Sequence, residues 1–133
     1  MSQENLEVVL ETFRQFEVSD FESGAGLWHP DSWVSGPEGW PEPGPFRGRD
    51  AAFEQFRRLA ADWEENRLSD VEVVADREDW VVVTFRWEVR GDRSGAATGA
   101  NLAAANRLTE GKITEAHFRW TGREALEAAG LRE

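Results

Sequence analysis

The clearest pattern of apolar and polar positions lies in residues 78–91, near the middle of the chain. Every second position from 81 to 89 is apolar, whereas the positions between them are mixed. The apolar set is Val81, Val83, Phe85, Trp87 and Val89; the mixed set is Trp80, Val82, Thr84, Arg86, Glu88 and Arg90. A period of two, rich in β-branched and aromatic residues, predicts a long β-strand. Because its apolar face is continuous, we expect another layer of structure to cover it.

Two longer segments carry apolar residues at three- and four-residue steps, which is the spacing of an amphipathic helix. The first is 3–18 and the second is 49–66, and both present charged residues on the opposite side. The two apolar stripes are Leu6, Val9, Leu10, Phe13 and Phe16, and Ala52, Phe53, Phe56, Leu59, Ala60 and Trp63. Both segments are therefore predicted to be helices that pack on the sheet.

Two shorter helices are predicted from their capping residues. One begins at Ser19, the predicted N-cap, with Glu22 three residues later, and runs to about Trp28. The other covers residues 123–129 and is capped by Thr121, which is also followed three residues later by a Glu. The chain thus has three helices before its main strands and one after them.

Turn residues divide the rest of the chain into strands and loops. The remaining predicted strands are 32–35, 68–75, 96–108 and 113–120, with a hairpin connection at 91–95. Residues 36–48 hold four of the five prolines, and we interpret them as a loop that is positioned to act as a lid. The predicted fold class is α+β: a curved antiparallel sheet covered by three N-terminal helices, with a short C-terminal helix.

Composition limits the partners of the protein. A chain of 133 residues fits one domain, residues 1–133, with a core large enough to need no disulfides. The net charge of −11 repels phosphate backbones, so we expect no nucleic-acid partner. No apolar run approaches the roughly 20 residues of a membrane span, so a cytoplasmic protein without a membrane partner is predicted.

Strand alternation predicts a site between the sheet and the helices. Ala100, Ala104 and Asn106 share one face of the third long strand, and small residues there leave space. Large rings from other elements are predicted to wall this space: Trp33, Phe53, Phe56, Trp63, Phe85, Trp87, Phe118 and Trp120. Such a lining favours a small apolar or aromatic ligand. Ordinary core packing is the alternative for each single ring.

Candidate catalytic groups are few. His29 and Asp31 are the only imidazole and carboxylate close in sequence, and they are the predicted acid–base pair; a turn without chemistry is the alternative. His117 alternates to the outer strand face, where we expect a dimer contact or solvent. With two distant histidines and no cysteine, we predict no metal site, no cofactor and no nucleophile triad.

Three stretches resemble the SnoaL-like branch of the NTF2-like superfamily, and the resemblance covers nearly the whole chain. They are FRGRDAAFEQF at 46–56, LTEGKITEAHFRW at 108–120 and TGREALEAAGL at 121–131. The resemblance implies a cone-shaped fold with a pocket, often as a homodimer joined through the outer sheet face. It implies no ketosteroid isomerase activity, because Gly36 and Ala104 stand where ketosteroid isomerases of this superfamily have aspartates, and the chain has no Tyr for their oxyanion-binding position.

Three functions remain open at this point. The first is a pocket protein for a small apolar or aromatic molecule, with weak acid–base catalysis by His29 or Asp31. The second is a non-catalytic dimeric binding or accessory module, and the third, by analogy, is a polyketide cyclase-like enzyme. We predict a homodimer through the weakly charged outer face, which carries Val82, Thr84, Ala103, Ala105 and Ile113. Whether the protein is an enzyme stays open.

Overall fold

The computed structural model describes residues 2–91 and 97–131. In chain order the helices are α1 (Ser2–Glu17), α2 (Phe21–Gly24), α3 (Arg49–Ala61) and α4 (Gly122–Ala128), with a 3₁₀ turn at Ala25–Leu27. The strands are β1 (Trp28–Ser35), β2 (Phe46–Arg47), β3 (Glu65–Arg77), β4 (Trp80–Arg90), β5 (Ala97–Thr109) and β6 (Lys112–Arg119). The predicted α+β class is confirmed. No helix in the described part of the chain is long and apolar enough to cross a bilayer.

The six strands form one curved, unclosed sheet in the order β2-β1-β6-β5-β4-β3. Strands β3 to β6 form the predicted antiparallel sheet, each paired with the next along the chain, and β1 adds to it in parallel beside β6. The predicted hairpin at 91–95 lies, apart from Gly91, outside the described residues. Strand β4 lies between β5 and β3 and is paired on both edges, which suits its apolar composition.

The two faces of β4 pack against different helices, although only the cover over its inner face was predicted. Its inner face joins a cluster with α1 and α3, whose buried members include Val9, Phe13, Ala52 and Phe53. Its outer face packs under α4, where Val82 meets Ala125 and Leu126. Strand β4 is thus apolar on both faces because helices of the same chain cover both of them.

Helix α3 ends at Ala61, five residues before its predicted end, so this prediction was wrong. The main-chain N–H of Glu64 donates to Arg90 O, and Glu65 pairs with Arg90, which draws this segment into β3. The amide Nδ2 of Asn66 then donates to Ala60 O at 3.1 Å and satisfies a carbonyl at the helix end. Strand pairing overrides the helical spacing here.

The predicted second helix is also shorter than expected. Helix α2 is one turn whose N-cap is Asp20 rather than Ser19, because the Asp20 carboxylate accepts from Ser23 N at 3.2 Å. Strand β1 begins already at Trp28, which pairs with Ile113 of β6. Its register shifts between Trp28 and Trp33, and the irregular stretch accommodates a proline that has no N–H to donate.

Part of the outer face that we predicted to form a homodimer is covered by α4 of the same chain. Val82, Ala103 and Ala105 are fully buried beneath this helix. Ile113 was placed on the wrong face: a register shift between Arg107 and Leu108 turns it into the inner cluster. The homodimer stays a prediction, and the open apolar face on which it was based is smaller than expected.

Candidate functional site

A cavity of about 110 Å³ lies between the inner sheet face and the helices. Its lining comes from α1, α2, α3, the loop after β1 and five strands. The lining residues are Thr12, Phe13, Gln15, Phe16, Asp20, Phe21, Gly24, Trp28, Val34, Ser35, Gly36, Pro37, Trp40, Glu42, Phe53, Gln55, Phe56, Leu59, Leu68, Phe85, Trp87, Leu102, Asn106 and Phe118. By volume, the space suits a molecule of one or two rings rather than a drug-sized ligand, for which pockets of roughly 300 Å³ or more are usual.

Aromatic rings form a continuous wall around this cavity. Phe56 is central, with ring centroids 5.6 Å from Trp28, 5.8 Å from Phe53 and 6.3 Å from Phe118. Phe16 extends the wall, because its ring lies 6.1 Å from that of Trp87 in an edge-on contact. Edge-on and tilted arrangements are the favourable ones for aromatic pairs, so the wall is rigidly packed.

The proline-rich loop covers one side of the cavity through Trp40. This ring lies 5.9 Å from that of Trp87 and 5.7 Å from that of Trp120. Two further contacts hold the loop: Trp120 Nε1 donates to Glu38 O at 2.8 Å, and the Glu42 carboxylate pairs with Arg58 at 2.7 Å. The loop thus occupies the position that the lid hypothesis requires.

Three uncharged amides are among the polar groups that line the cavity. Gln55 of α3 is only 4% exposed, and its side-chain amide makes no hydrogen bond to another described residue. Asn106 of β5 is 3% exposed; its Nδ2 donates to Val81 O at 3.4 Å. Gln15 donates from Nε2 to Glu11, and its buried Oε1 has no partner among the described residues. Buried polar atoms without partners are costly, so a ligand that pairs with them would bind more tightly.

The two carboxylates that reach the cavity are engaged elsewhere. Asp20 caps α2, and Glu42 is held by the guanidinium of Arg58. In the described part of the chain, no group of three or more His, Asp or Glu side chains is arranged to hold a metal ion. The inner lining is therefore apolar with neutral hydrogen-bonding groups.

Six of the predicted ligand-binding residues line the cavity: Phe53, Phe56, Phe85, Trp87, Asn106 and Phe118. Five others lie elsewhere: Trp33, Trp63, Ala100, Ala104 and Trp120. That any of them binds a ligand stays a prediction. Trp33 lies on the outer face, where its ring meets that of His117 at 4.5 Å. Trp63 follows the end of α3, so it leaves the apolar stripe of that helix.

The predicted alanine floor is not open space. Ala104 is completely buried in the inner cluster, between its strand partners Val83 and Phe118. Ala100 lies nearer the start of β5, opposite Trp87, and is partly exposed. Trp120 is 39% exposed at the rim of the cavity, where it contacts the loop.

The structure does not bring His29 and Asp31 to the cavity. Both side chains are exposed, and the contact between these residues runs from the main-chain N–H of Asp31 to His29 Nδ1 at 3.0 Å. The Asp31 carboxylate therefore does not orient the imidazole. A catalytic role for this pair stays a prediction without support from the cavity geometry.

Sequence reasoning missed much of the helical side of the cavity. Phe13 and Phe16 lie on the predicted apolar stripe of α1, so the signal for them was present. Trp40 had only its position in a proline-rich loop as a signal. Gln55 had none, because a polar residue beside an apolar stripe looks like a solvent-facing position.

The structure also forms a polar chain that the sequence did not predict. Ser35 Oγ lies 2.8 Å from His117 Nδ1, and His117 Nε2 lies 3.0 Å from a Glu115 carboxylate oxygen. No nucleophile triad was predicted from the sequence, yet these three side chains form a hydrogen-bonded chain. Parallel pairing of β1 with β6 places Ser35 beside His117, although they are 82 residues apart.

Burial lowers the pKa of His117 below its usual value, and this effect outweighs Glu115, which raises it. The positive charge of Arg119 lowers this pKa further. The histidine is 4% exposed, and the rings of Trp33 and Trp80 lie against it. The imidazole is thus held neutral near pH 7, in agreement with the usual effect of burial on a cation.

A curved sheet that encloses a cavity beneath three helices defines the NTF2-like, cone-shaped class of α+β proteins. The family model of the SnoaL-like domain matches residues 9–116. The chain therefore belongs to the SnoaL-like family, as its motifs predicted. No curated protein matches the sequence significantly.

Solved structures share this fold at low sequence identity. Bal32a, from a soil-derived mobile gene cassette, is 18% identical with a TM-score of 0.75, and the match covers 96% of each chain. TerC, co-crystallized with polyporic acid, is 22% identical with a TM-score of 0.74, covering 93% of this chain and 98% of that one. SalBIII, an epoxide hydrolase/cyclase-like enzyme with a role in pyran ring formation in the polyether salinomycin, is 21% identical with a TM-score of 0.71, covering 91% and 95%. At these identities the likeness shows the fold alone.

Proposed function

We propose that the protein binds a small, uncharged, aromatic or apolar molecule in the cavity beneath Trp40. The cavity of about 110 Å³, walled by aromatic rings and containing the unpaired amide of Gln55, is the observation that supports this function. Apolar walls with a few convergent polar groups are the usual composition of a small-molecule site. The co-crystallised ligand of TerC shows that a protein of this fold has been crystallised with a small molecule.

The polar lining favours a ligand that carries a hydroxyl or carbonyl group. Gln55 and Asn106 offer amide donors and acceptors, and neither carries charge. An anionic ligand would meet the carboxylates of Asp20 and Glu42 at the edge of the cavity, which disfavour a second negative charge. The preferred ligand is therefore neutral, with one polar group on a ring system.

Ligand binding is favoured over cyclase-type catalysis by the state of the ionisable groups. General acid–base chemistry needs a titratable group within hydrogen-bond reach of the reacting atoms. The lining carboxylates, Asp20 and Glu42, are already paired, and His29 and Asp31 lie outside the lining. The cyclase-like alternative would require one of these groups to be released when the ligand binds.

Three matched probes test the preferred ligand: 2-naphthol, naphthalene and naphthalene-2-carboxylate. Calorimetric titration should give the tightest binding for 2-naphthol, weaker binding for naphthalene, and the weakest for the carboxylate. Gln55→Leu keeps the size of the side chain but removes its polar group, so the advantage of 2-naphthol over naphthalene should shrink several-fold. Equal affinity for all three probes would contradict a site inside the cavity.

Filling the cavity provides the control for location. Leu59 lines the cavity from α3, whereas Ala61 is exposed at the end of the same helix. Leu59→Trp should abolish binding, and Ala61→Trp, which adds the same ring outside, should leave it unchanged. If the parent protein binds none of the three probes, the non-catalytic accessory-module alternative becomes the better one.

A further inference from the structure

The polar chain on the outer side of β1 and β6 has the order of a serine–histidine–carboxylate triad. Ser35 contacts one ring nitrogen of His117 at 2.8 Å, and Glu115 contacts the other at 3.0 Å. Glu115 is also held at 3.2 Å by Arg107, which in turn pairs with Asp79 at 2.7 Å. The carboxylate is therefore fixed from two sides, which orients the imidazole between it and the serine.

Hydrogen-bonding rules assign the protons in this chain. An ionised carboxylate only accepts, so a neutral His117 must carry its proton on Nε2 and leave Nδ1 free to accept. Arg119 Nη1 donates to Ser35 Oγ at 2.9 Å, so the hydroxyl proton of Ser35 is left to point at His117 Nδ1. This is the arrangement in which a histidine can remove the proton of a serine.

We propose that Ser35 is a nucleophile with His117 as its general base, and that the protein cleaves small uncharged carboxylic esters at this serine. Ser35 Oγ would form a bond to the ester carbonyl carbon while its proton passes to His117 Nδ1. The bond between the carbonyl carbon and the alcohol oxygen then breaks, and this oxygen takes the proton from His117. The alcohol is released, and the acyl group stays on Ser35. Water then attacks the acyl carbon, gives a proton to His117, and releases the carboxylic acid as Ser35 regains its hydrogen.

Three features of the surroundings fit this chemistry. Ser35 is partly exposed on the outer side of the sheet, so a substrate can approach its hydroxyl although His117 is buried. Arg119 donates a hydrogen bond to the Ser35 hydroxyl oxygen at 2.9 Å and so fixes this hydroxyl beside His117. Glu115 acts through His117 and is a positioning residue. The reactivity of Ser35 does not depend on the proposed function.

The charged groups around His117 determine the expected pH dependence. Glu115 and Arg119 lie on the same strand as His117. Arg107 on β5 reaches Glu115, and Arg47 on β2 lies over the Trp33 ring. The two rings that pack on His117, those of Trp33 and Trp80, are uncharged. Because burial lowers the pKa of His117, the base is neutral at pH 7, and activity should fall only as the pH drops below the usual histidine range. Glu115→Gln removes the partner that raises this pKa, so the midpoint should move to lower pH.

Covalent labelling tests the serine directly. Diisopropyl fluorophosphate, followed by peptide mass mapping, should modify Ser35, and p-nitrophenyl acetate should give a burst of p-nitrophenol followed by slower turnover. Ser35→Ala should lose both signals. Ser32→Ala is the matched control, because Ser32 lies on the same strand, is fully buried, and its hydroxyl has no hydrogen-bond partner among the described residues. It should keep both signals.

A cysteine scan keeps the test valid if Ser35→Ala folds poorly. The chain has no cysteine, so Ser35→Cys introduces a unique thiol next to His117. Its alkylation by iodoacetamide at pH 6.5 should be at least about tenfold faster than that of Ser23→Cys, an exposed control, because a neighbouring base activates the thiol. Alkylation of Ser35→Cys that is no faster than that of Ser23→Cys, or the absence of a diisopropyl fluorophosphate label on Ser35 of the parent protein, would overturn the proposal. Neither result depends on whether 2-naphthol binds in the cavity.

Discussion

At the residue scale, alternation predicts the face on which a side chain lies but not what fills the space above it. Ala104 was correctly placed on the inner face of β5, yet it lies in packed core and not beside the cavity. The cavity forms instead beside Leu102 and Asn106 of the same strand. Where empty space remains depends on how α1 and α3 lie across the sheet, and no local pattern encodes that position.

Ala104→Leu should therefore overpack the core. Ala104 has no exposed surface, and added methylene groups in such a place typically cost about 1–3 kcal/mol. Denaturant melts should show this loss in the free energy of unfolding. Ala100→Leu is the control on the same strand face, since Ala100 is partly exposed and its substitution should change stability by less than about 0.5 kcal/mol. Equal stability of Ala104→Leu and the parent would mean that the floor is open after all.

At the element scale, predictions succeeded where the determinants are local. The start of α4 follows its capping residues: Thr121 Oγ1 accepts from Glu124 N at 3.1 Å and donates to the Glu124 carboxylate at 3.1 Å. The end of α3 could not be predicted, because the apolar spacing continues to Trp63 while pairing of Glu65 with Arg90 ends the helix. A partner 25 residues away in sequence decides that boundary.

Removing the cap of α4 should destabilise the protein by an amount typical of N-caps. Thr121→Ala leaves the Glu124 N–H without its acceptor, and the expected loss is about 0.5–2 kcal/mol in the free energy of unfolding. Thr121→Ser keeps the hydroxyl and should restore most of the stability. Chemical denaturation of the three proteins measures both effects. A serine variant as unstable as the alanine variant would assign the loss to the methyl group and not to the cap.

At the scale of the whole molecule, the family motifs predicted the cone fold, but tertiary pairing created the features of most chemical interest. Ser35 and His117 meet because β1 joins the sheet in parallel beside β6, a connection that the strand patterns alone do not specify. The same holds for the outer face, where α4 folds back over β4 and β5. Local sequence patterns describe elements well, and the relations between distant elements poorly.

The last prediction concerns what α4 does for the molecule. Leu126 is 5% exposed and packs over Val82, Ala103 and Ala105, so Leu126→Asp would place a carboxylate against an apolar surface. We expect α4 to detach, the free energy of unfolding to fall by at least about 2 kcal/mol, and the uncovered face to self-associate. Light scattering should then show a mass that rises with concentration. Glu127→Asp presents the same side chain one position along, at an exposed site, and should behave like the parent. If the parent has twice the chain mass of 15.1 kDa and Leu126→Asp keeps it unchanged, the homodimer that the family resemblance implies does not use the surface beneath α4.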